Sequence, residues 1–408
     1  MKIVYVTMEY INPDNLNVID GGLANYLHKI TTCLYKMGHD ITVIVADSYP
    51  NKHIDYNGID VIYINNKFQK KLIQKILWPL ITKSKRKLLK RNFLHYAISK
   101  AINKINKKNK IDVIQYASCR GLGRYPQKDI PSCVRISSYA KLMQKFYSYH
   151  DDCEIEAETL QIKNNKFIFG PSSHIANYIK DDLGVNKDIK IIESPYSECK
   201  ISADNTILNE LQSKIKSAPF LLFFGTIGEL KGCKVIADCI YDILNQYPNL
   251  HMVLVGKNAT FINDIDYAQI INKKAKEHAN RVIRFPSLPH SQLYPLISNC
   301  LAVVMPSLTE NFSNACVEAM RLKKIVIGTE GNFSQLITDG QNGFLAKVGD
   351  SESLKAKIVE VMSLNADKRQ EIEEKSFQRT ESLSPENICN QLLDYYKFII
   401  KNWENKNE

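Results

Sequence analysis

Short apolar runs alternate with stretches of helical periodicity along most of this chain, the pattern of an α/β protein with parallel sheets. In the first half, strands are predicted at Ile3–Met8, Ile41–Ala46, Val61–Ile64, Val113–Gln115, Cys133–Ile136, Phe167–Phe169 and Ile189–Ile192. A helix is predicted over Leu23–Met37, ended by Gly38 as a glycine C-cap, and another over His174–Asp182 behind the cap candidates Ser172 and Ser173. The pattern thins into polar sequence at 196–218, and a second series opens at FLLFFG (220–225). It continues with a helix at Val235–Asn245, HMVLVG (251–256), VIRF (282–285), LAVVM (301–305), IVIG (325–328) and GFLAK (343–347). A final helix from Pro385 to about Trp403 is rich in aromatic residues, as a helix docking on another surface is. The expected domains are therefore residues 1–200 and 201–384, with 385–408 as a returning helix.

Composition narrows the class without naming a function. With 408 residues, 44% of them hydrophobic, the chain can build two cores of ordinary size. Its ten cysteines include no C-x-x-C pair and no zinc spacing, which suggests reduced thiols in a reducing compartment. MKIVYVTMEY at the start reads as a strand running into a loop, not a signal peptide, and no apolar run is long enough to span a membrane. A cytoplasmic protein is expected.

The net charge of +11 is concentrated in one segment. Of 54 Lys and Arg residues, 15 fall between Lys67 and Lys110, where there is no Asp or Glu; the remaining 39 are outnumbered by 43 acidic residues. That balance argues against a general nucleic-acid surface. Within it, residues 67–91 alternate Lys with Leu, Ile, Phe and Trp78, and are interrupted by Pro79. A solvated lysine-rich helix face explains this, and so does a basic amphipathic segment suited to an anionic membrane surface.

Three places carry candidate chemistry. Gly21-Gly22 precede the first helix, where a backbone without side chains lets N–H groups and the helix dipole approach an anion; an ordinary tight turn is the plainer account. FFGTIGELKG (223–232) runs from a strand into a loop holding Lys231, placed to neutralise a diphosphate or simply solvated. In PSLTENFSNACVEAM (306–320), Glu310 precedes a predicted helix start and Glu318 lies within the helix, with amide donors between the two carboxylates. No Asp-x-Asp or other metal pattern accompanies them.

Taken in order, the glycine pair, the strand-end glycine leading to Lys231-Gly232, Glu310-x7-Glu318 and the D-G-x-N-G-F-L segment at 339–345 resemble family 4 of the retaining glycosyltransferases. The resemblance covers nearly the whole chain and is strongest over 220–350. It implies a GT-B fold: two facing Rossmann-like, doubly wound domains with the final helix crossing back to the first, and the active site in the cleft. The first domain would bind the acceptor and the second a UDP- or GDP-sugar donor. Residue by residue, it implies that Gly22, next to Gly21, meets the donor diphosphate and that Lys231 neutralises it as it leaves. Glu310 would bind the transferred sugar, the amides at Phe312 and Ser313 would bind phosphate, Asn311 would belong to the donor site, and Glu318 would bind the ribose. Ser287, in RFPSLP (284–289), would lie near the base.

The sequence also departs from that pattern. Thr226 stands where the family commonly has Arg, Gln335 where a Glu is frequent, and CVRISSY (133–139) where a cleft His is expected; Arg135 and Ser138 are the acceptor-side candidates there. The resemblance implies no metal or other cofactor, a saccharide or lipid-linked acceptor, and a role in bacterial surface polysaccharide synthesis. Alternatives are a sugar-nucleotide epimerase or phosphorylase, and a GT-B relic that only binds sugar nucleotide or polysaccharide.

Overall fold

The computed structural model describes residues 1–19, 21–46, 49–65, 82–144, 151–184, 186–196, 202–259 and 265–403. It divides into two compact units, Met1–Pro195 with Pro385–Glu408, and Tyr196–Ser384, so the boundary falls a few residues before the expected 200/201.

The first unit runs β1 (Lys2–Thr7), α1 (Gly22–Lys36), β2 (Asp40–Ala46), β3 (Lys52–Tyr56), β4 (Ile59–Ile64), α2 (Lys83–Lys108), β5 (Val113–Ala117) and β6 (Ser132–Arg135). It continues with α3 (Ala140–Met143), α4 (Asp152–Asn164), β7 (Ile168–Gly170), α5 (Ser173–Leu183) and β8 (Ile189–Ile191). Eight strands form one sheet in the order β3-β4-β2-β1-β5-β6-β7-β8, parallel except for β3. Strand β1 is buried at every position, as a central strand covered on both faces requires, which is why it reads as an unbroken apolar run. Ser172, one of the two cap candidates, is the residue that caps α5, accepting from the Ile175 N–H. Strand β3 was not expected. It pairs with β4 through the Asn57-Gly58 turn, and its residues are mostly exposed, so it carries no apolar signal.

The second unit runs α6 (Thr206–Ile215), β9 (Phe220–Phe224), α7 (Cys233–Gln246), β10 (His251–Val255), α8 (Tyr267–Lys274), β11 (Val282–Phe285) and α9 (His290–Asn299). Then come β12 (Ala302–Val304), α10 (Asn314–Arg321), β13 (Val326–Thr329), β14 (Phe344–Ala346), α11 (Ser351–Met362) and α12 (Ala366–Glu381). Its six strands are all parallel, in the order β11-β10-β9-β12-β13-β14. Helix α7 buries Ile236, Ile240, Ile243 and Leu244 against this sheet, and each such fully buried side chain contributes about 2 kcal/mol.

The final helix, α13 (Pro385–Trp403), packs within the first unit. Tyr396 is fully buried there: its hydroxyl donates to Gln115 Oε1 of β5 at 2.6 Å and lies 3.2 Å from the Tyr5 hydroxyl of β1. Among the described residues, no helix is long and apolar enough to cross a membrane, and the nine cysteines are free thiols.

Candidate functional site

In a doubly wound sheet, ligands bind beyond the carboxyl ends of the strands where the strand order reverses. In the second unit that point lies between β9 and β12. The loop leaving β9 carries Lys231 and the loop leaving β12 carries Glu310, so the two residues singled out from sequence sit on its two rims. They touch: Lys231 Nζ donates to Glu310 Oε2 at 2.5 Å, with side-chain exposures of 38% and 14%.

The loops are joined by backbone as well. The Leu308 N–H donates to the Leu230 carbonyl at 2.8 Å. Lys231 ends a single 3-10 turn that is closed by Gly232 at φ 73°, and a Cβ on Gly232 would stand 1.9 Å from the Pro306 carbonyl oxygen. Only glycine brings these two loops so close.

Asn332 braces the same rim and was not singled out from sequence. It is buried, accepts from the Glu310 N–H at 3.1 Å, and donates to the Ser307 carbonyl and to Thr329 Oγ1, each at 3.0 Å. Asn332→Ala strands the Glu310 amide, leaves the Ser307 carbonyl with the Thr329 hydroxyl alone, and is expected to destabilise this unit by about 2 kcal/mol. A urea unfolding midpoint equal to that of the unaltered protein would contradict the bracing role. Asn332 follows a Gly in a turn-rich stretch, and only its side-chain bonds, which sequence does not show, distinguish it from a turn residue.

Helix α10 begins at Asn314, with Ser313 as its N-cap: Ser313 Oγ accepts from the Cys316 N–H at 3.2 Å. Phe312 and Ser313 thus precede the helix, and its first-turn amides are those of Asn314 and Ala315. No acidic residue occupies that first turn. Asn311 and Phe312 are half-buried, as is Thr226 on the opposite loop, while Ser287 is exposed. Glu318 is 18% exposed at the side chain, with Oε1 3.7 Å from His290 Nε2. His290 opens α9 directly after RFPSLP, so the segment assigned to the base and the residue assigned to the ribose share one neighbourhood. Nothing local in the sequence marks His290.

In the first unit, Gly21 (φ 100°) leads into α1, whose N-terminus has no side-chain cap and no acidic residue in its first turn. A Cβ on Gly22 would meet nothing within 4 Å. Both glycines are exposed. The two acceptor-side candidates differ. Ser138 is exposed, and its carbonyl accepts from Ser118 Oγ at 3.0 Å. Arg135 is 4% exposed, its guanidinium 3.5 Å from the centroid of the Tyr26 ring and bonded to Ser194 and Ser137 hydroxyls at 3.0 and 3.3 Å. Burial lowers its pKa, the Tyr26 side chain opposing that effect. Most of the basic stretch 67–91 lies outside the described residues: of it, only 82–91 are described, as the start of α2. No group of three or more potential metal ligands occurs among the described residues.

Two doubly wound units, one with a lysine, a carboxylate and a helix start gathered at its switch point, define a two-domain α/β class of protein with the geometry of an anion site in the second unit. Comparison with known proteins gives that class a family likeness. Residues 207–379 match the family model for glycosyl transferases, group 1. An uncharacterized glycosyltransferase of Methanocaldococcus jannaschii is 26% identical over 210 residues, spanning 49% of this chain and half of that relative's length. Sucrose-phosphate synthase of Thermosynechococcus elongatus has a similar structure, with a TM-score of 0.74 at 16% identity over 98% of this chain and 99% of that one. Anabaena HepE in complex with UDP gives 0.68 at 15% identity, over 98% of this chain and all of that one. The fold is GT-B, two α/β domains with parallel sheets.

Proposed function

We propose that this protein is a retaining glycosyltransferase that moves a sugar from a nucleotide-diphosphate sugar to a saccharide or lipid-linked acceptor. The observation that carries the reading is the Lys231–Glu310 contact at the switch point of the unit that matches the group 1 model.

The chemistry follows from the bond to be broken. As the anomeric carbon separates from the phosphate oxygen, negative charge grows on the departing diphosphate and positive charge on the sugar ring. An ammonium has three donors. With one given to Glu310, Lys231 has two to offer phosphate oxygens, and the amides of Asn314 and Ala315 add the dipole of α10. The Gly22 amide at the start of α1 is assigned to a phosphate oxygen on the same grounds. Glu310, fixed by Lys231 on one side and by Asn332 on the other, accepts hydroxyls of the transferred sugar; Glu318 accepts those of the ribose. No metal is assigned a role, because the lysine and the amides meet the phosphate charge. UDP in the HepE structure is in keeping with a UDP-sugar donor, and a GDP-sugar is the other choice.

The setting proposed is bacterial surface polysaccharide synthesis at the cytoplasmic face of the membrane, with 67–91 docking on anionic lipid. Liposome flotation tests the docking: equal recovery with neutral and anionic vesicles at low salt would remove it. Turnover tests the activity. Consumption of a nucleotide sugar that is abolished in Glu310→Ala supports an enzyme; tight binding without consumption in the unaltered protein supports a binding relic instead.

A further inference from the structure

The first unit has a switch point of its own, between β1 and β5. The loop leaving β5 there meets the first half of α2 and the start of α4 around a pocket of about 280 Å³. Five cations line it: Lys87, Lys90, Arg91, Arg120 and Arg124. Two carboxylates, Asp151 and Glu154, line it as well, and both are engaged. Asp151 lies 3.2 Å from Lys87 and 3.3 Å from Arg91, and Glu154 lies 3.8 Å from Arg91.

Salt bridges that fasten α2 to α4 account for this pair of carboxylates, and the lining as a whole holds five cations to two carboxylates. Arg91 Nη1 is buried without a hydrogen-bond partner among the described residues. Glu158, next to the pocket, accepts from the Arg120 and Ala140 N–H groups at 3.2 and 2.7 Å, and does little to cancel the excess, since burial pushes its carboxyl up to about 8. Arg124 is held by Asn92 Oδ1 at 3.0 Å and by the Gly121 carbonyl at 3.3 Å. Arg120 adds a second kind of observation. Its backbone is at φ 55°, ψ 14°, a left-handed conformation that disfavours any residue with a Cβ. Strain of this sort persists only where the surrounding structure holds it, and it clusters at active sites and ligand clamps.

We propose that this pocket binds the phosphate group of a phosphorylated acceptor; that the ligand is the acceptor rests on the glycosyltransferase reading, whereas the anion site itself does not. A cluster of guanidinium and ammonium groups suits an oxyanion with three terminal oxygens and more than one charge, which a single carboxylate does not supply. The pocket is also close in size to the smallest sites that hold small molecules, roughly 300 Å³.

The test is calorimetric titration of the full chain, with UDP in excess, using glycerol 3-phosphate in one arm. Phosphatidylcholine vesicles with and without phosphatidic acid form the other. The expected result is one phosphate site whose affinity falls at least about tenfold in Arg120→Gly and in Lys90→Gln, and is unchanged in Lys231→Ala. Glycine suits the left-handed backbone at 120 and Gln keeps most of the length of the side chain at 90, so a loss of affinity in whichever variant melts with the unaltered protein is not unfolding. Binding of glycerol 3-phosphate identifies a soluble phosphorylated acceptor. Binding only to vesicles with phosphatidic acid, lost in both variants, identifies a lipid headgroup. Affinity untouched by either variant, affinity lost equally in Lys231→Ala, or no binding in either arm overturns the proposal. Failure of UDP to bind while the phosphate site persists would count against the donor reading and leave the pocket standing.

Discussion

Lys231→Ala is expected to lower the rate of sugar transfer by roughly 10²–10³-fold, the usual effect of removing one preorganised group that stabilises a developing anion. Donor affinity should fall much less, because the charge that Lys231 meets is greatest as the diphosphate departs. Lys231→Arg should restore only part of the rate. A planar guanidinium cannot occupy the ammonium's place 2.5 Å from Glu310 and also present the same donors to phosphate. At 38% exposure the side chain contributes little to the core, so the variant should melt near the unaltered protein. Steady-state kinetics with saturating donor make the comparison, and a rate within about threefold of the unaltered protein would remove Lys231 from the chemistry.

Gly232→Ala is expected to have the largest effect on stability. The new methyl would stand 1.9 Å from the Pro306 carbonyl oxygen, and alanine would be held at φ 73°. Left-handed strain and overpacking each cost about 1–3 kcal/mol, so a loss of about 3 kcal/mol is expected for the second unit. The strain is relieved by parting the loop at 228–232 from the loop at 305–313, which pulls Lys231 away from Glu310, so donor binding should fall together with the melting temperature. Gly22→Ala is the contrast, since its methyl meets nothing within 4 Å. It should leave the fold intact and weaken only ligand binding at the start of α1. Equal melting temperatures for Gly232→Ala and the unaltered protein would show that the close approach of these loops is not required.

Much of the fold can be read locally because parallel strands covered on both faces are apolar at nearly every position, as in β1 and β9. Strand β3 escapes that signal, its residues being mostly exposed, although the Asn57-Gly58 turn beside it is a hairpin mark that could have been used. Lys231, Glu310 and Glu318 stand out because their spacing belongs to a recurring motif. Asn332 and His290 do not, because what distinguishes them is a side-chain contact across the fold: to the Glu310 amide for Asn332, and to Glu318 for His290. The amides that the resemblance implies for phosphate, at Phe312 and Ser313, lie just before α10 for a similar reason. Ser313 serves as the cap, so the helical amides begin at Asn314 and not at Phe312. The unit 1 pocket shows the same limit more strongly, since it gathers Lys90, Arg120 and Asp151 from three separate stretches of chain. Strand order, which fixes both switch points, is a non-local property that periodicity does not carry.

The central claim, that the paired Lys231 and Glu310 mark a nucleotide-sugar donor site, is tested most directly by titrating UDP- and GDP-sugars into the full chain while following its thermal unfolding. The expected result is one nucleotide sugar that raises the melting temperature in proportion to its binding, with the shift reduced in Glu310→Ala. No shift with any nucleotide sugar, or a shift unaltered in both Glu310→Ala and Lys231→Ala, would contradict the claim.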